Sequence, residues 1–475
     1  MKLIGSQFLS VGMLFSLVIS LATIATAQTA APVISLLFSF PCNSSSVCPD
    51  GFFPTWLIES ADGNLYGIAA SGGTGLNAQG TIFKITPAGQ RSVVFSFAEN
   101  PNGSVPNGAS PTSLVEGVDG FLYGTALVAG ANGQGTVFKL SKSGTIQDLH
   151  DFCDTPTCTD GANPAQLMQA LDGNFYGATG PNPPPTSVLF RISPSGAFNV
   201  LHTFDSTQRD GTGVFRLIQA TDGNFYGTTV AGTQSTVFNS VFRFTSAGAY
   251  TILHTFTQNQ AASSGLIHAS NGKLFGLQNG SNLFNITLGG NYQKIGPVSA
   301  TQFSDGHLLQ ASDGNLWGDF TGGDCSSQGI VFAATTSGSV LQNLVFDCNT
   351  VGEQLGTVIQ GADGKLYGVT PGSGVATTNS ITHGTVWKIE AGLPAPAPTV
   401  VGFRPASARV GAKVLIQGNH FVGATSVTFN GVNAGFQVLS VNYISATVPA
   451  GATTGPIAVT NAGGTVSSQK TFTVQ

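Results

Sequence analysis

Asp62-Gly63-Asn64-Leu65-Tyr66-Gly67 recurs, with small changes, in stretches starting at Asp119, Asp172, Asp222, Asn271, Asp313 and Asp363. The intervals run from 42 residues (271 to 313) to 57 residues (62 to 119). A period of this length marks an array of supersecondary units rather than one irregular domain. The second copy shows the unit most clearly. Thr112 to Glu116 is a short apolar run, and Asp119-Gly120 suits a tight turn because both residues tolerate positive φ. Phe121 to Thr125 follows as a strand, then a Gly-rich loop from Ala129 to Gln134, then the alternating stretch Gly135 to Leu140. Ser143-Gly144 turns again, and Ile146 to Phe152 ends the unit. Two hairpins make one four-stranded antiparallel sheet, the content of a propeller blade.

The other copies fit this frame. The third strand recurs around Phe83, Phe138, Phe190, Phe242, Phe284, Phe332 and Trp387. The fourth ends at Phe97, Phe152, Phe204, Phe256 and Phe346, and the fifth copy, which starts at Asn271, is degenerate. The seventh copy supplies three strands and stops after Ile389, whereas Val33 to Phe40 reads as an orphan fourth strand like Val93 to Phe97. The sequence therefore predicts an all-β protein: a seven-bladed β-propeller closed by its N-terminal strand, which removes exposed strand edges. An open solenoid is the competing architecture.

The succession Asp-Gly-Asn-Leu-Tyr-Gly, Gly-Thr-Val-Phe-Lys-Leu and Leu-His-Thr-Phe resembles the GloVer tandem repeat of exported bacterial proteins, over about residues 33 to 391. The resemblance implies organisation and no established activity. After it, Gly392 to Pro398 is a stiff Pro-rich linker. Short alternating strands follow at Gly411 to Gly418, Gly423 to Gly431, Ile444 to Pro449, Gly455 to Thr460 and Phe472 to Val474. This region resembles an IPT/TIG immunoglobulin-like β-sandwich, a module that serves as spacer or interaction domain. The expected division is a signal peptide at 1–27, a propeller at 28–391, a linker at 392–398 and a sandwich at 399–475.

Composition sets the setting. Of the 475 residues only 8% are charged, Gly numbers 63 and Phe 33, so the chain reads as β-rich with a substantial core. The net charge of −5 comes without a basic block, which argues against nucleic acid as a partner. Lys2, the apolar run Phe8 to Ile24 and the small residues Ala25 to Ala27 read as a secretory signal that is cleaved; as a membrane anchor the run is short. The expected location is thus secreted, extracellular or in the cell envelope, with no integral membrane segment after cleavage. In an oxidising compartment the six Cys read as disulfides 42–48, 153–158 and 325–348: Cys42 with Cys48, Cys153 with Cys158, Cys325 with Cys348. Metal binding would want CxxC spacing or His partners, and neither is present.

Two recurring polar sets are candidate ligand-binding residues. Asp50, Asp160, Asp210 and Asp305 lead into first strands, with Asn107 in the equivalent place, so they could ring the channel mouth; a local Asp turn is the plainer account. Glu59, Glu116, Gln169, Gln219, His268, Gln310 and Gln360 lie three residues before each recurrent turn. They form a polar belt that binds ligand or water, or else caps backbone groups between sheets. The turn Asp residues, the His of His150, His202 and His254, and the Tyr of Tyr66 and its counterparts read as structural. No nucleophile elbow, zinc motif or phosphate loop is present, so no catalytic residue, metal or cofactor is expected.

The leading expectation is an exported, non-enzymatic binding or cell-surface interaction protein. It would recognise an unidentified extracellular glycan or protein through the long second-to-third and sheet-to-sheet loops, such as Thr179 to Ser187 and Pro371 to His383. The competing expectation is a polysaccharide hydrolase or lyase drawing on Asp50, Asp160, Arg209, Asp210, Asp305, His307 and Glu353 at the channel mouth.

Overall fold

The computed structural model of the chain describes residues 31–42, 47–180, 187–204, 211, 213–229, 239–257, 262–279, 281–298, 307–320, 329–346, 355–372, 374–377 and 380–475. The described residues are all β, and no helix among them is long and apolar enough to cross a membrane.

Each repeat folds into one antiparallel sheet whose strands follow chain order. The first sheet holds Phe52–Glu59, Leu65–Ser71, Thr81–Ile85 and Arg91–Ser96, and the second Ala109–Glu116, Leu122–Val128, Thr136–Leu140 and Ile146–Asp151. Five more sheets follow, with first strands at Pro164–Gln169, Val214–Gln219, Ile267–His268, Leu308–Gln310 and Val358–Gln360. In the seventh, Ser380–Glu390 pairs on one side with Leu366–Thr370 and on the other with Val33–Pro41.

The repeated motif explains itself locally. Asp62 Oδ1 accepts from the amide of Asn64 (3.1 Å), closing an Asx turn, and Asp62 Oδ2 accepts from the Tyr66 hydroxyl (3.0 Å). Burial opposes the Asp62 carboxylate, yet the Asn64 amide, the hydroxyl and nearby Lys142 hold its pKa down at about 2. The same Tyr–Asp bond recurs at Tyr123–Asp119, Tyr176–Asp172, Tyr226–Asp222 and Tyr367–Asp363. The closing Gly of the motif has a different cause. Gly67 lies opposite Phe83, and a Cβ there would meet the ring at 2.2 Å; Gly124 faces Phe138 in the same way at 2.4 Å. The flat Phe occupies the space that a side chain would need.

The core lies between consecutive sheets. Tyr66, Ile68 and Phe97 of the first sheet pack on Leu114, Leu122 and Phe138 of the second. Phe40, Tyr367, Val369 and Val386 of the seventh pack on Leu57 and Phe83 of the first. His150, His202 and His254 stack flat on Phe198, Tyr250 and Tyr292 of the following sheet, with centroids 3.8 to 4.0 Å apart.

Residues beyond 398 form two further sheets, Thr399–Arg404, Lys413–Asn419, Tyr443–Thr447 and Phe436–Ser440 facing one built on Gly464–Val474 and Gly455–Asn461. Phe403, Val414, Ile416, Phe421, Val427, Phe429, Ile444 and Phe472 fill the space between them. Disulfides join Cys42 to Cys48 and Cys153 to Cys158. Cys325 and Cys348, and residues 1–27 expected as a signal peptide, lie outside the described residues.

Candidate functional site

The polar belt sits at the end of each first strand and reaches back to the turn of the preceding sheet. Glu116 accepts from the Ala61 amide (2.8 Å) and the Ser60 hydroxyl (2.9 Å). Gln169 accepts from the Val118 amide (3.0 Å), Gln219 from Leu171 (3.1 Å), Gln310 from Ser270 (2.7 Å) and Gln360 from Ser312 (2.9 Å). Each of these four amides also donates to the carbonyl of its own turn glycine, Gly173, Gly223, Gly314 or Gly364. Glu59 of the first sheet accepts from Ala362 of the seventh (3.0 and 3.2 Å). These groups cap turn backbone across sheet boundaries. His268 differs: its Nε2 is buried without a hydrogen-bond partner, and burial lowers its pKa although Asp222 and the Gly272 carbonyl act the other way.

The sheet-leading aspartates occupy separate settings. Asp50 pairs with Arg91 of its own sheet. Asp160 is buried, accepts from the Cys153 amide (3.0 Å) and meets His150 Nε2 at 3.0 Å. Asp210, Asp305, Arg209 and Glu353 lie outside the described residues. His307 lies beside Asp319, with Nδ1 3.3 Å from Oδ1, and Asp319 is fully buried with Oδ2 unpartnered. Sequence reading passed over Asp319; its signal is a carboxylate where the matching strand residues of other sheets are Ile68, Thr125, Ala178 and Val369. Among the described residues, no three His, Cys, Asp or Glu side chains gather as a metal site requires.

Sequence reading also passed over Arg216, three residues before Gln219. Its matched residues are Trp56, Ser113, Gln166, Gly265, His307 and Thr357, so no recurrence marks the position. The Arg216 guanidinium lies over the Trp56 ring, Cζ 5.5 Å from the centroid, although the two belong to the fourth and first sheets.

The turn side of the repeats is in contact with the C-terminal region. Tyr443, almost wholly buried, donates to the Gln169 carbonyl (3.0 Å), and Arg404 donates to the Asp172 carbonyl (3.3 Å). The linker carbonyl of Pro394 accepts from the Ser312 hydroxyl (2.7 Å) and from Gln360 Nε2 (3.4 Å). On the loop side, Phe53 and Leu76 remain 43% and 57% exposed, and Phe53 holds a φ of 65° that bulky residues rarely adopt.

A tandem array of four-stranded sheets followed by a small sandwich defines the class of protein. Residues 22–238 match the Gloeobacter/Verrucomicrobia repeat and residues 398–474 match an IPT/TIG domain, so the chain has a repeat-plus-IPT/TIG architecture. No curated protein matches it. Among solved structures it is similar to a fungal alcohol oxidase of the AA5 family in complex with copper, at 14% identity, over 90% of this chain and 98% of that one, with a TM-score of 0.52. That likeness is one of fold. Weaker likenesses are to the extracellular domain of the hybrid two component system BT4673 from B. thetaiotaomicron (12% identity, 82% and 45% covered, TM-score 0.48) and to a gluconolactonase from Xanthomonas campestris (11%, 66% and 89%, TM-score 0.39).

Proposed function

We propose that the chain is an exported binding or cell-surface interaction protein. In this reading the seven sheets are blades of a closed β-propeller, the IPT/TIG-like region is a spacer or second contact, and recognition belongs to the long-loop face. The observation that carries it is the engagement of the turn side: Tyr443, Arg404 and Pro394 tie the C-terminal region to turns of the third, sixth and seventh sheets. That contact directs a partner to the opposite face. Closure is supported by the pairing of Val33–Pro41 with Ser380–Glu390 and by the Glu59 bond to Ala362. Export is supported by the two disulfides. Phe53 and Leu76 are exposed apolar groups on the loop side; the positive φ of Phe53 recurs at the matching Ser110 and Asn163 and belongs to the repeat.

The hydrolase reading draws less support, since Asp50 and Asp160 each hold a local partner in separate sheets. The test is a glycan and protein-ligand screen with the full chain, repeated with Phe53→Ser and Leu76→Ser. The expected result is a ligand lost in these variants and kept in Lys365→Ser on the turn side. A screen without any ligand, or one whose ligand ignores both loop-side changes, overturns the proposal.

A further inference from the structure

We propose that Arg216 forms the floor of an oxyanion site on the propeller axis, entered from the long-loop side and taking a small carboxylate-bearing molecule. The inference rests on the propeller reading for the axis, and on contacts at Arg216 for the site.

Most polar residues of the tier that contains Arg216 hold protein partners; His307 is the exception, its Nδ1 without a hydrogen bond and 3.3 Å from Asp319 Oδ1. Trp56 Nε1 donates to the Leu114 carbonyl (2.9 Å), and the Ser113 hydroxyl bonds the Thr125 hydroxyl (2.6 Å). Gln166 donates to the Phe215 carbonyl (2.9 Å) and accepts from the Leu217 amide (2.6 Å). The Thr357 hydroxyl donates to the Thr55 carbonyl (3.1 Å). Arg216 makes no such bond: among the described residues its guanidinium has neither a hydrogen-bond acceptor nor a carboxylate, and its contact is the Trp56 ring. In a ring of seven sheets, the first and fourth stand across the axis from one another, so the side chain spans the central space. Gly265 makes room for it, since a Cβ there would lie 2.3 Å from the Arg216 Cβ.

An arginine stays charged in a protein. Arg216 is enclosed by protein, so burial works against its charge, yet it keeps some accessible surface, as a channel-lining side chain does. An enclosed charge without a partner costs several kcal/mol unless water or a counter-ion meets it. Stacking over an indole offsets roughly 0.5–2 kcal/mol of that and leaves the N–H edge unused. A planar edge of paired donors matches the two oxygens of a carboxylate better than any neutral group. The turn side is crossed by the linker and the C-terminal region, whereas Arg216 sits on the loop side of the belt, about 10 Å above it at ~3.3 Å per residue. With the turn side crossed, the proposed entry is from the long-loop side, and an enclosed arginine admits a small ligand or a terminal group.

The test is calorimetric titration of the full chain at low salt with galacturonate, succinate, inorganic sulfate and neutral galactose, on the native protein, Arg216→Gln and Arg216→Lys. The expected result is binding of both carboxylates, weakened about tenfold or more in Arg216→Gln and less in Arg216→Lys, with galactose silent. Galacturonate tighter than succinate assigns a sugar acid, and equal affinity assigns the carboxylate alone. No binding of any anion, unchanged affinity in Arg216→Gln, or sulfate tighter than both carboxylates overturns the proposal. Should Arg216→Gln fail to fold, phenylglyoxal labelling of the native chain mapped by mass spectrometry replaces it: succinate slows labelling of Arg216, and absence of protection overturns the site. Phe53→Ser is expected to leave this titration intact while abolishing partner capture, so the axial site and the loop-face reading fail separately.

Discussion

Two seams between sheets solve one problem with different electrostatics. At the seam of the first and second sheets, Glu116 caps the Ala61 amide and meets Lys142 Nζ at 2.5 Å. At the seam of the seventh and first sheets, Glu59 caps the Ala362 amide with no cation beside it among the described residues, and Asp363 adds a like charge nearby. Burial, reinforced by Asp363 and only partly opposed by the Ala362 bond, pushes the Glu59 pKa up to about 7. Gln169, Gln219, Gln310 and Gln360 do the same capping without any charge. The difference teaches that the belt requires an acceptor and not an ion. The seam that joins the two ends of the repeat region carries the least favourable version of it.

The largest expected effect comes from the packing at that seam. Phe40, fully buried, meets Phe83 edge-on at 5.2 Å, as Phe97 meets Phe138 at 5.4 Å one seam along. Phe40→Ala and Phe97→Ala should each cost about 3–5 kcal/mol in cavity and lost transfer energy. Only Phe40→Ala should also free a terminal strand, raising amide exchange in Ser380–Glu390. Equal protection of that strand in both variants would show that the two seams are equivalent.

Next comes Glu59→Gln, with the opposite sign. A carboxyl whose folded pKa rises from 4.5 to about 7 binds its proton more tightly when folded, so stability falls as pH climbs through that window. The penalty is absent below about pH 4.5 and complete above about pH 7. Glutamine keeps the acceptor and removes the charge, so the variant should be more stable than the native chain by about 2–3 kcal/mol at pH 8 and equal to it near pH 4.5. Thermal melts at the two pH values decide this, and a stabilisation that is the same at both would refute the assignment.

Glu116→Gln sharpens the contrast because the same change should act in reverse. The glutamine would still cap Ala61, but Lys142, partly exposed, would lose its carboxylate and keep the Ser60 hydroxyl. The expected loss is about 1 kcal/mol, reduced by salt. A gain in stability here would mean that Lys142 does not offset the burial of Glu116 and that the two glutamates behave alike.

Recurrence governs what the sequence makes legible. Gly67 with Phe83, Asp62 with Tyr66 and the belt from Glu59 to Gln360 can be read because each is written several times at fixed spacing. The all-β character follows from the same alternation. Arg216 and Asp319 are written once, in positions where neighbouring repeats carry unrelated residues, so no pattern announces them. Trp56 and Arg216 lie in different repeats and meet only because the array brings the first and fourth sheets together. The pairing of Asp160 with His150 is hidden for a related reason: His150 shares a stacking role with His202 and His254, and that shared role masks the buried aspartate beside it.

The smallest effect tests the same two seams through a neutral bond. The Thr357 hydroxyl donates to the Thr55 carbonyl at the seam of the seventh and first sheets, as Trp56 Nε1 donates to Leu114 one seam along. Thr357→Val keeps the branched shape, and the Thr357 amide still faces the Thr55 carbonyl at 3.5 Å. The carbonyl is therefore not left bare, and the cost should be about 1 kcal/mol or less. It should also be independent of pH between about 4.5 and 8, because no titrating group is removed. A pH-dependent loss in Thr357→Val would couple this hydroxyl to Glu59, two strand ends of the same seam, and would make the terminal seam one electrostatic unit rather than a set of separate bonds.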